Sequence, residues 1–287
     1  MTEPIPPRPS RSLTGRVAIV TGAGATPKSI GNGRAAAVML AEDGCAVICV
    51  DLKIDLAQET VDMINGDGHG RGVAIAADVT RADDCQRIVD LAVSTYGRLD
   101  ILVNNVGAMG AKGSAVHVDI DAFMDGLRVN VASMVQMAKY SIPVMEKNEG
   151  QCAGNIVNMS SVAGLRGGTP HILYPTSKGA IVNMTRAMAV NHASQRIRVN
   201  CVCPGMVYTP MMYSNGAGMS PDERETRKAR SLLKTEGNGW DVGSAVRFLA
   251  SDLARWVTGI ILPVDAGTTA ATGIGMQGLH TSNLTQG

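Results

Sequence analysis

Short apolar runs rich in valine and isoleucine recur along the chain at 17–21, 46–50, 73–77, 100–103, 155–159, 197–202 and 259–264. Between most of them lie stretches with helical patterning, at 33–43, 55–65, 81–96, 119–147, 175–193 and 239–251. Strands alternating with helices predict a parallel sheet with helices on both faces. Runs that are apolar throughout, rather than at every second position, fit strands covered on both sides. The expected fold class is α/β: a single doubly wound domain with a seven-stranded, mostly parallel sheet. In an open sheet of this kind ligands lie beyond the carboxyl ends of the strands, so chemistry is to be sought just after each apolar run.

Three segments stand outside this alternation. Residues 1–12 are proline-rich and polar, with no apolar core of a signal peptide, and read as a disordered arm. Residues 206–237 form a long polar, methionine-rich connection with a charged helical piece at 221–234. A connection of that length inside a compact domain is usually functional, and a lid is expected. The domain proper is expected to span 13–267, followed by a threonine- and glycine-rich tail at 268–287.

Composition narrows the function classes. The 287 residues carry a net charge of +1, which draws neither nucleic acid nor an anionic membrane. Aromatic residues make up 3% while methionines number 16, so core and pocket should be aliphatic and pliable. No apolar run approaches the ~20 residues of a membrane span. The six cysteines (45, 49, 85, 152, 201, 203) show no metal-ligand spacing, and buried free thiols are expected, with Cys201 and Cys203 on one face of a strand. No metal site is expected. A cytoplasmic protein acting on small molecules is the resulting expectation.

The first apolar run ends in "TGAGATPKSIGNGRAAA", residues 21–37, which reads as a phosphate-binding turn in more than one way. Residues 22–29 nearly match the P-loop pattern G-x-x-x-x-G-K-[ST], but Pro27 stands where the second glycine belongs, and proline lacks the N–H that such a loop uses. Gly31-Asn32-Gly33-Arg34-Ala35-Ala36 satisfies G-x-G-x-x-G/A at the start of a helix, and Asp51 lies eighteen residues past Gly33 at the end of the second run. That acid can accept hydrogen bonds from an adenosine ribose, which is the arrangement of a Rossmann dinucleotide site. An ordinary strand-to-helix loop is the bland alternative.

The stretch "NMSSVAGLRGGTPHILYPTSKGA" carries the chemistry. Tyr174 and Lys178 are four apart on a predicted helix, hence on one face, and Ser161 stands thirteen residues before Tyr174 at the end of an apolar run. A free tyrosine, with a pKa near ~10, is a poor base at neutral pH. A neighbouring lysine cation should lower that pKa, and a serine hydroxyl can hold a substrate oxygen in line.

Ser161, Tyr174 and Lys178 at these spacings resemble the catalytic set of the short-chain dehydrogenase/reductase family. Further segments are similar in order: Thr21-Gly22 with Gly31-Asn32-Gly33 to the T-G-x-x-x-G-x-G turn, with the last two glycines five residues late; "NNVG" (104–107) to N-N-A-G; and Asn130 to the fourth catalytic residue. "PGMVYT" (204–209) resembles the P-G-x-x-x-T turn, and "VDAG" (264–267) the closing D-G-G. The resemblance covers about 13–267 and implies Tyr174 as general acid/base, Lys178 as its electrostatic partner and a ribose ligand, Ser161 as the carbonyl-orienting group, and Asn130 in a proton relay.

The resemblance also implies cofactor contacts from Gly22, Gly31, Asn32, Gly33, Asp51, Leu52, Asp78, Val79, Asn105, Val106, Gly107, Pro204, Gly205, Val207 and Thr209. An insertion, residues 25–30, is expected to bulge over the adenosine side, bringing Lys28 or Ser29 to the cofactor. Asp51 favours NAD over NADP, with Lys28 and Lys53 as complicating cations. Met109, Met206, Met211, Met212 and Tyr213 should border an apolar substrate pocket, whereas His171 is kept out of the catalytic set. The resemblance further implies a homotetramer paired through the helices at 119–147 and 175–193. The leading reading is an NAD(H)-dependent oxidoreductase of an aliphatic or cyclic secondary alcohol. A 3-oxoacyl-thioester reductase using NADPH, a non-redox protein of the same fold and a P-loop nucleotidase are the alternatives.

Overall fold

The computed structural model describes residues 5–66, 68, 70–213 and 218–271; the remainder of the expected arm, lid and tail lies outside the described residues. Seven strands form one sheet: β1 (Val17–Thr21), β2 (Ala46–Asp51), β3 (Arg71–Ala76), β4 (Ile101–Asn104), β5 (Gly154–Met159), β6 (Ile197–Pro204) and β7 (Ile261–Val264). Their spatial order is β3-β2-β1-β4-β5-β6-β7. Every pairing is parallel, so the sheet is wholly rather than mostly parallel. The order in which strands are added reverses between β1 and β4, and that is where the carboxyl ends leave a crevice.

The strands are apolar at consecutive positions because alternate residues enter different cores. Ala18 and Val20 pack with α1 (Asn32–Glu42) and α9 (Gly239–Ala250) on one face. Val17 and Ile19 pack with α3 (Ala82–Tyr96) and α5 (Ser133–Met145) on the other. Each fully buried aliphatic side chain contributes ~1.5–3 kcal/mol, so both faces resist a one-residue register slip. The remaining helices are α2 (Ile54–Gly66), α4 (Ile120–Leu127), α6 (Leu173–Asn191), α7 (Pro210–Tyr213) and α8 (Pro221–Ala229). No helix among the described residues is long and apolar enough to cross a membrane.

Two departures from the sequence pattern matter for the site. The expected helix at 119–147 is split by a π-helical turn at Arg128–Ala132, and the turn carries Asn130. The described part of the expected lid is joined across its base, where Tyr208 N–H donates to Gly237 O at 2.8 Å and Gly237 N–H to Met206 O at 3.2 Å, and Leu233 N–H also reaches Ala266 O at 3.3 Å. Between those points α8 is started by a capping box, Ser220 and Glu223, with Pro221 in its first turn. Residues 5–12 have no regular structure, although Arg11 pairs with Asp43 at 3.1 Å.

Candidate active site

A cleft of about 620 Å³ lies along the carboxyl ends of the strands. Its floor is the turn after β1. Gly22 takes φ +61, a left-handed conformation that side chains disfavour. A Cβ on Gly33 would come within 2.0 Å of Gly22 O, so α1 can approach the turn only with glycine at this position. Asn105, just after β4, fastens the same turn through Nδ2 donating to Gly22 O at 2.9 Å. α1 begins at Gly31 with no side-chain cap, so its first N–H groups have no capping partner from Gly31. Asn32 Oδ1 is buried beside them with no partner among the described residues. An orphaned acceptor next to uncapped donors fits a dinucleotide at this turn.

At the end of the cleft expected to take adenosine, Asp51 accepts from Gly24 N–H at 3.1 Å and from Lys53 N–H at 3.1 Å. Gly24 must be glycine, because a Cβ there would lie 2.6 Å from Asp51 Oδ2. Leu52, Asp78 and Val79 line the same end. The insertion at 25–30 does not deliver the two residues expected of it. Lys28 is exposed with φ +57, Ser29 Oγ turns back to Thr26 O, and neither lines the cleft. The P-loop reading thereby loses its lysine.

The residue that redirects the insertion is Arg34, whose side chain is 1% exposed. Its Nη1 donates to Ser29 O at 2.8 Å, its Nη2 to Ala25 O at 3.1 Å and Glu59 Oε2 at 3.0 Å, and its Nε to Thr60 Oγ1 at 2.9 Å. The loop is therefore drawn onto α2 instead of over the cleft. An arginine in an alanine-rich helix reads as solvated, and nothing in the spacing marks it as buried.

The opposite end gathers the titratable groups. Tyr174 and Lys178 stand one turn apart on α6, with Lys178 Nζ 5.6 Å from the centre of the tyrosine ring. Lys178 is buried and its Nζ donates to Met159 O, at the end of β5, at 2.9 Å. Burial pulls its pKa down to about 8. Ser161 caps a short 3₁₀ turn, with Oγ accepting from Ala163 N–H at 3.2 Å. The Tyr174 phenol differs from the expectation of a lowered pKa: burial raises it, and a hydrogen bond with the Ser161 hydroxyl opposes the rise. The ammonium faces the ring and is tied to Met159 O, which leaves desolvation the larger effect.

Asn130 does not line the cleft. It is fully buried behind it, with Oδ1 accepting from Ala108 N–H at 2.8 Å and Nδ2 donating to Ala108 O at 2.9 Å and Ser177 Oγ at 3.0 Å. It thus clamps the segment after β4 to α6 and makes no hydrogen bond to Lys178. Gly107, on that clamped segment, sits where a Cβ would be 3.1 Å from Lys178 Nζ.

Val106, Pro204, Gly205, Val207 and Thr209 line the cleft as expected, and so do Met109, Met206, Met211 and Met212. Tyr213 packs instead on Tyr208, with ring centres 4.9 Å apart. His171 Nδ1 accepts from Gly113 N–H at 3.1 Å, away from the reacting groups. Five of the six cysteines are buried, all are free, and Cys201 and Cys203 share a face with their sulfurs 3.9 Å apart. Residues on the cleft that sequence reasoning did not single out include Val162, Ala163, Thr169 and Arg227.

A family model described as enoyl-(acyl carrier protein) reductase matches residues 24–269. A crystal structure from Burkholderia xenovorans, described as a short-chain dehydrogenase/reductase, superposes with a TM-score of 0.82 at 39% identity, covering 90% of this chain and 98% of that one. The chain belongs to the short-chain dehydrogenase/reductase family. It is accordingly an oxidoreductase of CH–OH groups. Among its relatives in the family is cis-4-hydroxycyclohexanecarboxylate dehydrogenase from Sinomonas cyclohexanicum, 35% identical over 89% of this chain and 97% of the relative. Another is 7α-hydroxysteroid dehydrogenase, solved with NADH and 7-oxo glycochenodeoxycholic acid, with a TM-score of 0.81 at 32% identity over 90% of this chain and 95% of that chain.

Proposed function

We propose that this protein is an NAD(H)-dependent dehydrogenase that interconverts a secondary alcohol and its ketone, with an aliphatic or cyclic substrate. The observation that carries the reading is the placement of Tyr174, Ser161 and Lys178 at the end of the cleft lined by Met109, Met206, Met211 and Met212. Alcohol oxidation needs a base for the hydroxyl proton, and reduction needs an acid for the carbonyl oxygen. Tyr174 Oη serves as both, and the Ser161 hydroxyl, on the same cleft, holds the substrate oxygen in line. Lys178 supplies the positive charge that stabilises the phenolate, the form that accepts the substrate proton in oxidation and remains after proton donation in reduction. Asn130 is a positioning residue, which fixes Ala108 and with it the wall opposite Lys178.

Gly22, Gly31, Asn32, Gly33, Asp78, Val79, Asn105, Val106, Gly107, Pro204, Gly205, Val207 and Thr209 would hold the dinucleotide, with Asp51 and Leu52 at its ribose end. Bound NAD supplies the hydride acceptor. The carboxylate of Asp51 suits a free ribose diol and repels a 2′-phosphate, which favours NAD over NADP. The segment 206–237 acts as the substrate lid, a role supported by the pairing of Val207 with Gly237 across its base. Exposed Ile120 and Met124 on α4 and Val135 on α5 support a homo-oligomer, a tetramer in our reading, that buries them. Light scattering on the purified protein tests the assembly.

The deciding experiment is a panel of acyclic, cyclic and steroid alcohols with NAD and NADP in turn, followed by cofactor absorbance. Reduction of NAD by cyclic secondary alcohols supports the reading. Absence of turnover across the panel, with cofactor binding intact, would return a non-redox role. The description of the matching family model favours one second reading, an acyl-thioester reductase using NADPH. Faster turnover of a 3-oxoacyl thioester with NADPH than of any alcohol would select it.

A further inference from the structure

The lid carries two arginines with different employment. Arg224 and Arg227 lie three apart on α8 and both approach Glu236, whose side chain is 4% exposed. Arg224 takes the carboxylate directly, through Nε and Nη2 at 2.9 and 2.5 Å from Oε2, and its guanidinium lies 3.9 Å from the centre of the Tyr208 ring. Arg227 is the more buried, with a side chain 15% exposed, yet its nearest approach to Glu236 is 3.6 Å, from Nε to Oε1. That separation is too long for a hydrogen bond, and both atoms are buried with no hydrogen-bond partner among the described residues. The one side-chain hydrogen bond Arg227 makes among those residues is from Nη2 to Val207 O at 3.0 Å.

Two guanidinium groups therefore meet one carboxylate, and the surplus positive charge is on the arginine that lines the cleft. The acids that line the cleft are Asp51 and Asp78, at the ends of β2 and β3, on the adenosine side. The half that holds Tyr174 is apolar and methionine-lined, with Lys178 already committed to Met159 O. A guanidinium that lines such a surface and spends only Nη2 on a described acceptor suits an oxyanion, for which its planar fork of donors is matched.

We propose that Arg227 receives an anionic group of the substrate, so that the substrate is a hydroxy or oxo acid whose carboxylate lies away from the reacting carbon. The inference rests on the dehydrogenase reading for its reaction, but not for its binding test. Calorimetry on the full chain saturated with NADH compares cyclohexanecarboxylate with the isosteric, neutral cyclohexanecarboxamide. The acid should bind the wild type roughly tenfold or more tighter than the amide, the scale of one hydrogen bond to a charged group. Arg227→Met should bring the acid to the affinity of the amide while leaving the amide and NADH within about twofold, and Arg227→Lys should restore part of the preference.

Equal affinity for acid and amide in the wild type, including binding of neither, overturns the proposal without any variant. A variant that loses NADH affinity while keeping its preference for the acid also overturns it, because the cation would then serve the cofactor diphosphate. Failure of the dehydrogenase reading would appear separately, as bound NADH with no turnover of any alcohol, and the acid–amide comparison would still decide the role of Arg227.

Discussion

Arg34 Nη1 donates to the backbone carbonyl of Ser29 at 2.8 Å from inside the protein. The same side chain holds Ala25, Leu56, Glu59 and Thr60, so one residue of α1 fixes both the phosphate turn's insertion and its packing on α2. Arg34→Met should destabilise the protein by about 3 kcal/mol, because it leaves buried acceptors unpartnered. Urea unfolding measures this, and Arg34→Lys should recover little of it, since an ammonium cannot span partners that the guanidinium fork reaches together.

Tyr174→Phe removes the proton-transferring hydroxyl and little else. The turnover number should fall by ~10²–10⁴ or more, the range of general acid–base contributions. Dinucleotide affinity, measured by fluorescence titration, should stay within about threefold. A variant with near-normal turnover would remove Tyr174 from the reaction.

Lys178 makes stability depend on pH. Burial lowers its pKa from 10.5 to about 8, so between those values the unfolded chain binds a proton that the folded chain does not. Stability must therefore rise with pH across the window from about 8 to 10.5, with the cost of the buried charge fully present below it. Denaturant midpoints of the wild type against Lys178→Met isolate the effect, and the difference between them should shrink as pH rises.

Asp51→Ser should shift cofactor choice. Ratios of kcat/KM for NAD against NADP should fall by roughly tenfold or more as a charged acceptor is removed from the ribose site. An unchanged ratio would detach Asp51 from cofactor recognition. Some loss of stability should accompany the change, since Gly24 N–H and Lys53 N–H both use this carboxylate.

The strands were legible because each is buried on both faces and so appears as an unbroken apolar run. Tyr174 and Lys178 could be set side by side from helix periodicity, whereas Ser161 was singled out by the resemblance of its spacing to the family's catalytic set; all three line the same cleft. What stayed hidden depends on long-range pairing. The course of the insertion is set by Arg34 reaching Ser29 and Glu59, and a residue type that usually faces solvent gives no sign of such a role. Arg227 escaped notice for the same reason, as one of several charged residues on a helical piece of the lid. The π-turn at Arg128–Ala132 was invisible because one surplus residue hardly disturbs an apolar periodicity spread over seven turns.

That surplus residue has a consequence for how the site can change. A residue added to a regular helix turns everything beyond it by ~100°, and the wide π-turn takes that rotation up because more residues share one circuit. Downstream of it Met134, Met137 and Met145 are sealed inside. Removing one position of 128–132 should therefore leave these methionines close to their present facing, at the cost of the contacts between Asn130 and Ala108. The turn works as an expansion joint, which lets the chain carry one residue more without moving the inner helix from the sheet.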